Sequence, residues 1–94
     1  AQMLVASLDY DTHRGRIAIG RVHRGIVRTG DPLVHLSPDG EPIRQRVTAL
    51  SVFDGLKRLE VEEAAAGEIV ALAGFPEAKI GATLADPAHP EALE

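Results

Sequence analysis

The sequence predicts an all-β fold, a small closed and mostly antiparallel β-barrel of about six to seven strands. One reason is that short segments rich in valine and isoleucine alternate with polar residues at a period of two. The other is that glycine and proline turn signals separate these segments roughly every eight to twelve residues, which is typical of a sandwich or a barrel. Closure into a barrel is favoured because it removes the exposed edges of so small a sheet.

The predicted elements follow one another along the chain as short strands. The candidate strands are residues 3–10, 16–25, 31–36, 42–53, 68–74 and 82–86, and residues 59–67 are predicted to form a strand followed by a turn. Pro32 lies at the start of the third strand, where its missing N–H does least harm. The segment from Ser37 to Glu41 contains a proline and an Asp-Gly pair, so it is predicted to be a hairpin turn.

Glycines are expected to mark the corners of this fold. At least two of four corner glycines should have a positive φ, which glycine adopts easily; the four are Gly25, Gly30, Gly40 and Gly67. Gly20 lies inside the second strand and is predicted to mark a β-bulge. Such a bulge would shift the alternation, so that Val22 also points inward.

A chain of 94 residues is expected to make one domain with one modest core. Only 3% of the residues are aromatic, so aliphatic side chains must fill that core. The predicted core residues are Leu4, Leu8, Ile17, Ile19, Val22, Val47, Ile69 and Leu72. The barrel is expected to cover residues 1–87, and the proline-spaced residues 88–94 to form an exit linker toward a following domain.

Composition and motifs exclude several classes of function. The chain contains no cysteine, so it has no disulfide and no thiolate zinc site. It contains no GxxxxGK[ST], GxGxxG or HExxH motif, and its serines lack the context of a nucleophile elbow. His23 and His35 are candidates to meet across neighbouring strands, but no third zinc ligand is evident. We therefore expect no catalysis, no metal and no cofactor in this chain.

The expected location is cytoplasmic. No apolar run approaches the roughly 20 residues that a membrane-spanning helix needs. No signal peptide is visible at the start of the sequence. We therefore expect no membrane partner.

The net charge of −4 hides an asymmetry along the chain. Residues 12–30 contain no acid and carry Arg14, Arg16, Arg21, Arg24 and Arg28. Residues 59–94 are rich in acids, and Lys79 is their single cation. This division predicts two different surfaces, one of which suits a polyanion; the alternative is that these charges only solvate strand faces.

Cations near the predicted turns and on the fourth strand are the candidate phosphate-binding residues. Guanidinium groups bind phosphate oxygens with two parallel hydrogen bonds, and such contacts carry no sequence information. The scarcity of aromatic residues argues against a stacking platform for single-stranded bases. The expected ligand is therefore structured RNA held by its backbone, and not DNA. The candidates are Arg14, Arg16, Arg28, Arg44, Arg46, Lys57 and Arg58.

Three segments resemble the barrel that follows the GTPase domain in translational GTPases of the EF-Tu and EF-G type. They are "GRIAIGRVHRGIVRTGDPL", "VEEAAAGEIVALAG" and "IGATLAD", in the order that the family has them. The matching motif positions include Gly15, Arg21, Gly25, Gly30, Asp31, Gly67 and Gly81. Glu68 and Ala82 depart from the family pattern, in which aspartate is more common at both positions. Within the superfamily, the chain is most similar to the TypA/BipA proteins.

The resemblance implies a translation-factor domain II, with a GTPase domain before residue 1 and further domains after residue 94. It implies that the barrel packs on the GTPase domain and contacts the RNA of the small ribosomal subunit. GTP and magnesium would then belong to the preceding domain, and none of their ligands is expected in this chain.

Two functional hypotheses remain open at this point. The chain is either an RNA-docking module that positions a GTPase on the ribosome, or a spacer and relay whose arginines pair with acids of neighbouring domains. A third hypothesis, a pocket for the aminoacyl-tRNA end as in EF-Tu, is less favoured because the TypA/BipA match is closer.

The absence of a phosphate loop predicts that the chain neither binds nor hydrolyses GTP. A calorimetric titration with GTP and Mg²⁺ should give no heat beyond that of dilution. A dissociation constant in the micromolar range would contradict the assignment of the chain to a domain without a nucleotide site.

Overall fold

The computed structural model describes residues 1–37 and 40–88, and all the regular structure in these residues is β-strand. The strands are β1 Gln2–Asp11, β2 Gly15–Arg24, β3 Ile26–Arg28, β4 Pro32–Leu36, β5 Ile43–Arg46, β6 Ala49–Asp54, β7 Lys57–Glu60, β8 Glu63–Ala65, β9 Ile69–Ala73 and β10 Thr83–Ala85. No helix in the described residues is long and apolar enough to cross a membrane.

Eight strands form one sheet in the order β5-β4-β10-β1-β2-β9-β6-β7, and β3 and β8 form a two-stranded ribbon. Every strand pair is antiparallel. Only Val47 and Thr48 separate β5 from β6, so the chain itself joins the first strand of the sheet to the strand next to its other end. The predicted all-β, antiparallel fold is confirmed.

The number of strands differs from the prediction because the expected fourth strand, residues 42–53, is broken in the middle. At the break, the N–H of Val47 donates to the carbonyl of Asp31, and the carbonyl of Val47 accepts from Gly30. The next N–H, that of Thr48, donates to the carbonyl of Ala73 instead. The chain therefore changes partners within two residues, from the β4 side to β9, and one long strand becomes β5 and β6. The short strands β3 and β8 account for the rest of the difference.

The corner glycines follow the prediction. Gly25, Gly30 and Gly67 have positive φ values of 73°, 93° and 95°, so at least two of the four have a positive φ, as predicted. Gly67 closes the turn after β8, where its N–H donates to the carbonyl of Val22. Part of the predicted hairpin turn, Pro38 and Asp39, lies outside the described residues. Residues 89–94 of the predicted exit linker also lie outside them.

Gly20 does not carry the predicted bulge. The extra residue is Ala6 on the partner strand, because Val5 pairs with Gly20 and Ser7 pairs with Ile19. A Cβ atom at position 20 would lie 1.9 Å from the carbonyl oxygen of Leu4. Glycine is therefore required here by the close approach of β1 rather than by a bulge in β2.

The core lies on the inner face of the sheet and is mostly aliphatic. Its largest fully buried side chains include those of Phe75, Met3, Leu33, Leu50, Leu72 and Leu84. Four of the predicted core residues are buried, namely Ile17, Val22, Val47 and Leu72. Leu4, Leu8 and Ile19 are half-buried.

The prediction that Ile69 is buried is wrong, since 43% of it is exposed. Ile69 and Leu72 are three positions apart on β9, and strand side chains alternate with a period of two, so they point to opposite faces. Leu72 belongs to the main core, whereas Ile17, Ala71 and Ala73 form a separate small cluster.

That cluster lies on what we call the outer face of the sheet. Directly paired residues share a face in an antiparallel ladder. The register pairs Ile17 with Ala73, Ile19 with Ala71 and Arg21 with Ile69, and it pairs β9 with β6 in the same way. The outer face therefore carries Ile17, Ile19 and Arg21 of β2, Ile69, Ala71 and Ala73 of β9, and Ala49, Ser51 and Phe53 of β6. Consequently Ile17 and Ile19, predicted to share the core with Val22, lie on the other side of the sheet from it.

His35 is a buried polar residue of β4, with 3% of its surface exposed. Its Nε2 accepts a hydrogen bond from the backbone N–H of Lys79 at 3.3 Å, while Nδ1 has no partner in the described residues. Burial lowers the pKa of His35 from its ordinary value, the nearby charge of Lys79 lowers it further, and Glu77 opposes the shift. The imidazole is therefore neutral at neutral pH.

The two faces of β9 predict different costs for two truncations on the same strand. Leu72→Ala should lower the free energy of unfolding by about 2–5 kcal/mol, because it opens a cavity in the core. Ile69→Ala should cost well below about 1 kcal/mol, because the side chain is substantially exposed. Denaturant unfolding of both variants checks this, and equal costs would show that the faces of β9 are assigned wrongly.

The buried imidazole predicts a dependence of stability on pH. The pKa of His35 is lower in the folded state than in the unfolded one, so the unfolded chain binds more protons as the pH falls below 6.5, the ordinary value for histidine. The contribution of His35 to folding stability should therefore be complete above that pH and decline below it. Unfolding measured at about pH 7.5 and about pH 5.5 checks this. His35→Gln should remove most of this decline, and His13→Gln, at an exposed position, should retain it. A decline of equal size in the His35 variant would contradict this account.

Candidate nucleic-acid interface

Strand β5 presents two of the predicted phosphate-binding arginines on one exposed face. Arg44 and Arg46 are exposed and alternate along β5 with the half-buried Ile43 and Gln45. In the register with β4, Arg44 lies opposite Val34 and Arg46 opposite Pro32, so neither faces an acid across the ladder. Arg46 donates from Nη1 to the carbonyl of Gly30 at 3.1 Å, and Arg44 makes no polar contact with the described residues. Both guanidinium groups therefore retain their full charge at the surface.

Arg14 and Arg58 have acidic partners instead. The Nη2 of Arg14 lies 3.1 Å from Oε2 of Glu60, and the Nη2 of Arg58 lies 3.0 Å from Oδ2 of Asp9. These two ion pairs fasten the β1–β2 hairpin to β7. Arg58 also lies over the ring of Phe53, with its Cζ 5.4 Å from the centroid.

Beneath these ion pairs, the β1–β2 hairpin covers one half of the outer face. A cavity of about 100 Å³ lies between the side chains of Asp11, Arg14 and Arg58 and the small apolar residues of that face. Ile17, Ala71 and Ala73 are buried there.

Two carboxylates of the hairpin are held in the ionised form. The pKa of Asp9 is lowered, first by a hydrogen bond from the backbone N–H of Tyr10 and then by Arg58. The pKa of Asp11 is lowered by hydrogen bonds from the backbone N–H groups of His13 and Arg14. Both groups are therefore negative at neutral pH. Their charge weakens the attraction between the neighbouring arginines and a phosphate.

Arg28 lines a groove of about 720 Å³ that Arg14 also lines. Three acids, Glu60, Glu62 and Glu63, line the same groove. Arg28 lies 3.6 Å from Glu63, measured from Nε to Oε2. The structure thus brings two predicted cations together, but in a groove of mixed charge rather than on a uniformly basic face.

The last two candidates lie apart from these. Arg16 donates from Nε and Nη2 to the hydroxyl of Tyr10 and from Nη1 to the carbonyl of Ala78, so its guanidinium group is held in place. Lys57 is exposed at the start of β7 and makes no polar contact with the described residues. It lies opposite Asp54, at the other end of β6 from the junction with β5.

Gly15, Gly81 and Asp31 of the motif have structural roles, whereas Arg21 has no contact that assigns it one. Gly15 and Gly81 have positive φ values of 78° and 91°. Asp31 closes the corner after β3, where its Oδ2 accepts from the N–H of Arg28 at 3.0 Å. Arg21 is exposed on the outer face and makes no polar contact with the described residues.

His23 and His35 do not meet across neighbouring strands, as the sequence had allowed. His23 is exposed on β2 and His35 is buried on β4, and these strands are not neighbours in the sheet. Among residues 1–37 and 40–88, no three histidine, aspartate or glutamate side chains are grouped so that they would hold a metal ion.

Sequence reasoning did not find the ion pairs that join the hairpin to β7. The partners are 46 and 49 residues apart along the chain, so no local pattern reveals them. The signal that was available is the alternation of charge on β7, where Arg58 and Glu60 share one face.

Comparisons with known proteins agree on the kind of domain. The family model described as "Elongation factor Tu domain 2" matches residues 15–85. The chain is 47% identical over 92 residues to the large ribosomal subunit assembly factor BipA of Synechocystis sp., and 42% identical to that of Bacillus subtilis. In both cases the match covers 98% of the chain and 15% of the relative. The chain therefore spans about one seventh of the length of these relatives.

A solved structure shows the same fold. The GDP-bound aIF5B of Aeropyrum pernix superposes with a TM-score of 0.76 at 20% identity, over 89% of this chain and 16% of that one. This likeness in fold agrees with the family match over residues 15–85. The chain belongs to the elongation factor Tu domain 2 family, and within it is similar to the BipA/TypA proteins.

Proposed function

We propose that the chain is the non-catalytic second domain of a longer, cytoplasmic BipA/TypA-like GTPase, here called the parent protein, and that it docks the parent on the ribosome. The proposed contact is with the RNA of the small subunit, and the domain also packs on the GTPase domain of the parent. GTP and magnesium would be bound by that other domain.

The observation that carries the proposal is the exposed pair of arginines on β5. Arg44 and Arg46 are not engaged in an ion pair within the described residues, whereas Arg14, Arg28 and Arg58 each pair with a carboxylate. A phosphate that approaches β5 therefore need not displace an internal acid. Successive residues of one strand face are about 7 Å apart, which is close to the spacing of neighbouring phosphates along a nucleic-acid strand.

The paired arginines are less suited to this role. A phosphate that approached Arg14 or Arg58 would have to replace Glu60 or Asp9, and Asp11 adds a further negative charge beside them. The ion pairs lie within this domain, so they do not correspond to the spacer hypothesis, in which arginines pair with acids of neighbouring domains. We therefore narrow the predicted phosphate-binding residues to Arg44 and Arg46 as the principal pair.

The names of the relatives raise the question of which ribosomal subunit the parent contacts. BipA is described as an assembly factor of the large ribosomal subunit, whereas we propose contact with small-subunit RNA. These two statements are compatible if a factor that is bound to one subunit acts on the other. Measuring the binding of the parent to each isolated subunit tests which subunit it contacts.

Charge reversal on β5 tests the proposal. Arg44→Glu combined with Arg46→Glu should weaken binding of the parent to small subunits in co-sedimentation and should reduce the slope of log affinity against log salt by about 2, or about 1 per phosphate contact. The matched control is Arg44→Lys combined with Arg46→Lys, which keeps the charge and should retain most of the binding.

Three further points make the result decisive. Strand-surface charges usually alter stability little, so both variants should unfold at nearly the same denaturant concentration as the wild type. Equal binding by the charge-reversed protein and the wild type, at two salt concentrations, would remove β5 from the RNA interface. Binding to isolated large subunits alone would contradict the choice of subunit.

A further inference from the structure

Strand β5 has a free edge as well as exposed arginine side chains. It is the first strand in the order of the sheet, and among the described residues it pairs with β4 alone. In an antiparallel ladder, every second residue turns its N–H and C=O groups toward the partner strand, and the residues between them turn theirs away. Alternate residues of β5 therefore have backbone groups that the ladder does not use.

The hydrogen bonds at the end of the ladder show which residues these are. The N–H of Val47 donates to the carbonyl of Asp31 at 2.9 Å. Because the pattern alternates back along β5 from Val47, the backbone groups of Arg46 and Arg44 point away from β4. Pro32, which has no N–H, lies opposite Arg46, where the ladder needs no donor.

Part of this edge is covered and part of it is open. The carbonyl of Arg46 lies against Gly74, where an added Cβ atom would be 2.0 Å from its oxygen. The N–H and C=O of Arg44 and the N–H of Arg46 make no hydrogen bond to the main chain of the described residues. The open edge thus offers two donors about 7 Å apart, with one acceptor between them.

The length and the charge of the open edge favour a nucleic acid over an added peptide strand. A peptide that extends a sheet depends on a row of main-chain hydrogen bonds, and the open part of this four-residue strand is too short for one. Arg44 and Arg46 add two positive charges beside the edge, with no acid opposite them in the ladder. Phosphate oxygens accept from N–H groups, and a ribose 2′-hydroxyl donates to a carbonyl. A ribose–phosphate strand therefore matches both kinds of group.

We propose that the open edge of β5 binds an RNA strand through its main chain, so that the N–H groups of Arg44 and Arg46 donate to phosphate oxygens and the carbonyl of Arg44 accepts from a 2′-hydroxyl. The inference rests on the proposed function, because it specifies how the same strand contacts RNA. It adds a property that the guanidinium groups do not supply. The carbonyl distinguishes RNA from DNA, which lacks the 2′-hydroxyl.

Proline substitution tests the donor of Arg44. Arg44→Ala removes the guanidinium group alone, whereas Arg44→Pro also removes the N–H, so it should weaken co-sedimentation of the parent with small subunits by a further factor of roughly ten. Proline is tolerated at an edge position whose N–H faces solvent, so both variants should be similarly stable to denaturant. At Gln45, whose N–H points to β4, proline should destabilise the domain strongly relative to alanine. Equal binding by the two Arg44 variants would overturn the proposed donor.

Hydrogen exchange resolved to single amides measures both donors without any substitution. In the free parent, the amides of Arg44 and Arg46 should exchange much faster than that of Gln45, which is bonded in the ladder. Small subunits should slow both amides at least about tenfold. Amides that still exchange rapidly in the bound parent would contradict the proposal, and slow exchange in the free parent would assign the edge to a protein segment instead.

The carbonyl is tested with two hairpins of one sequence, one of RNA and one with 2′-fluoro riboses, which keep the charge and the A-form but cannot donate. At low salt the parent should bind the RNA hairpin more tightly by a factor of about two to ten. Arg44→Glu combined with Arg46→Glu should abolish this difference. Equal affinities of the wild type, or no binding of either hairpin, would refute the contact to the carbonyl.

The outcomes separate this inference from the proposed function. If charge reversal on β5 weakens binding to small subunits but the proline, exchange and 2′-fluoro experiments show no effect, the side chains alone make the contact and this inference fails. If charge reversal has no effect, the proposed function itself fails.

Discussion

The alternation of side chains along β2, β9 and β6 is the constraint on which the rest of the structure depends. With few aromatic residues, no cysteine and no metal site in the described residues, stability must come from aliphatic burial on the inner face. Val22, Leu50 and Leu72 are directed inward by this alternation. The same alternation determines which residues remain for the outer face, so the core and the candidate surfaces follow from a single register.

Two local features of the backbone maintain that register. Gly20 lets β1 lie so close to β2 that any side chain at this position would collide with the carbonyl of Leu4. Val47 and Thr48 turn the chain from the β4 side to the β9 side and so join β5 to β6. As a consequence, β5 lies at one end of the ladder with its arginines exposed. The fold thus positions the candidate RNA contact through its topology, and no loop of special conformation is needed.

The sequence was sufficient for the fold class, for most strands and for the corner glycines, because these depend on local periodicity and on backbone conformation. It failed where a choice between two faces was needed. Ile17 and Ile19 alternate as core residues would, but Ala18 and Gly20 face the core, and an alanine or a glycine gives no strong hydrophobic signal. The resemblance located the motif residues but not the phosphate contacts. Which arginines are paired depends on acids about fifty residues away, such as Asp9 for Arg58, and local patterns do not encode such pairs.

Hydrogen exchange of the parent protein, with and without small ribosomal subunits, tests most directly the central claim that β5 contacts the ribosome. The account predicts that small subunits increase protection of the amides of β5, from Ile43 to Arg46, and leave those of β9 around Ile69 unchanged. Protection that appears at β9 but not at β5 when small subunits are added would contradict the account, because a surface other than β5 would then meet the ribosome.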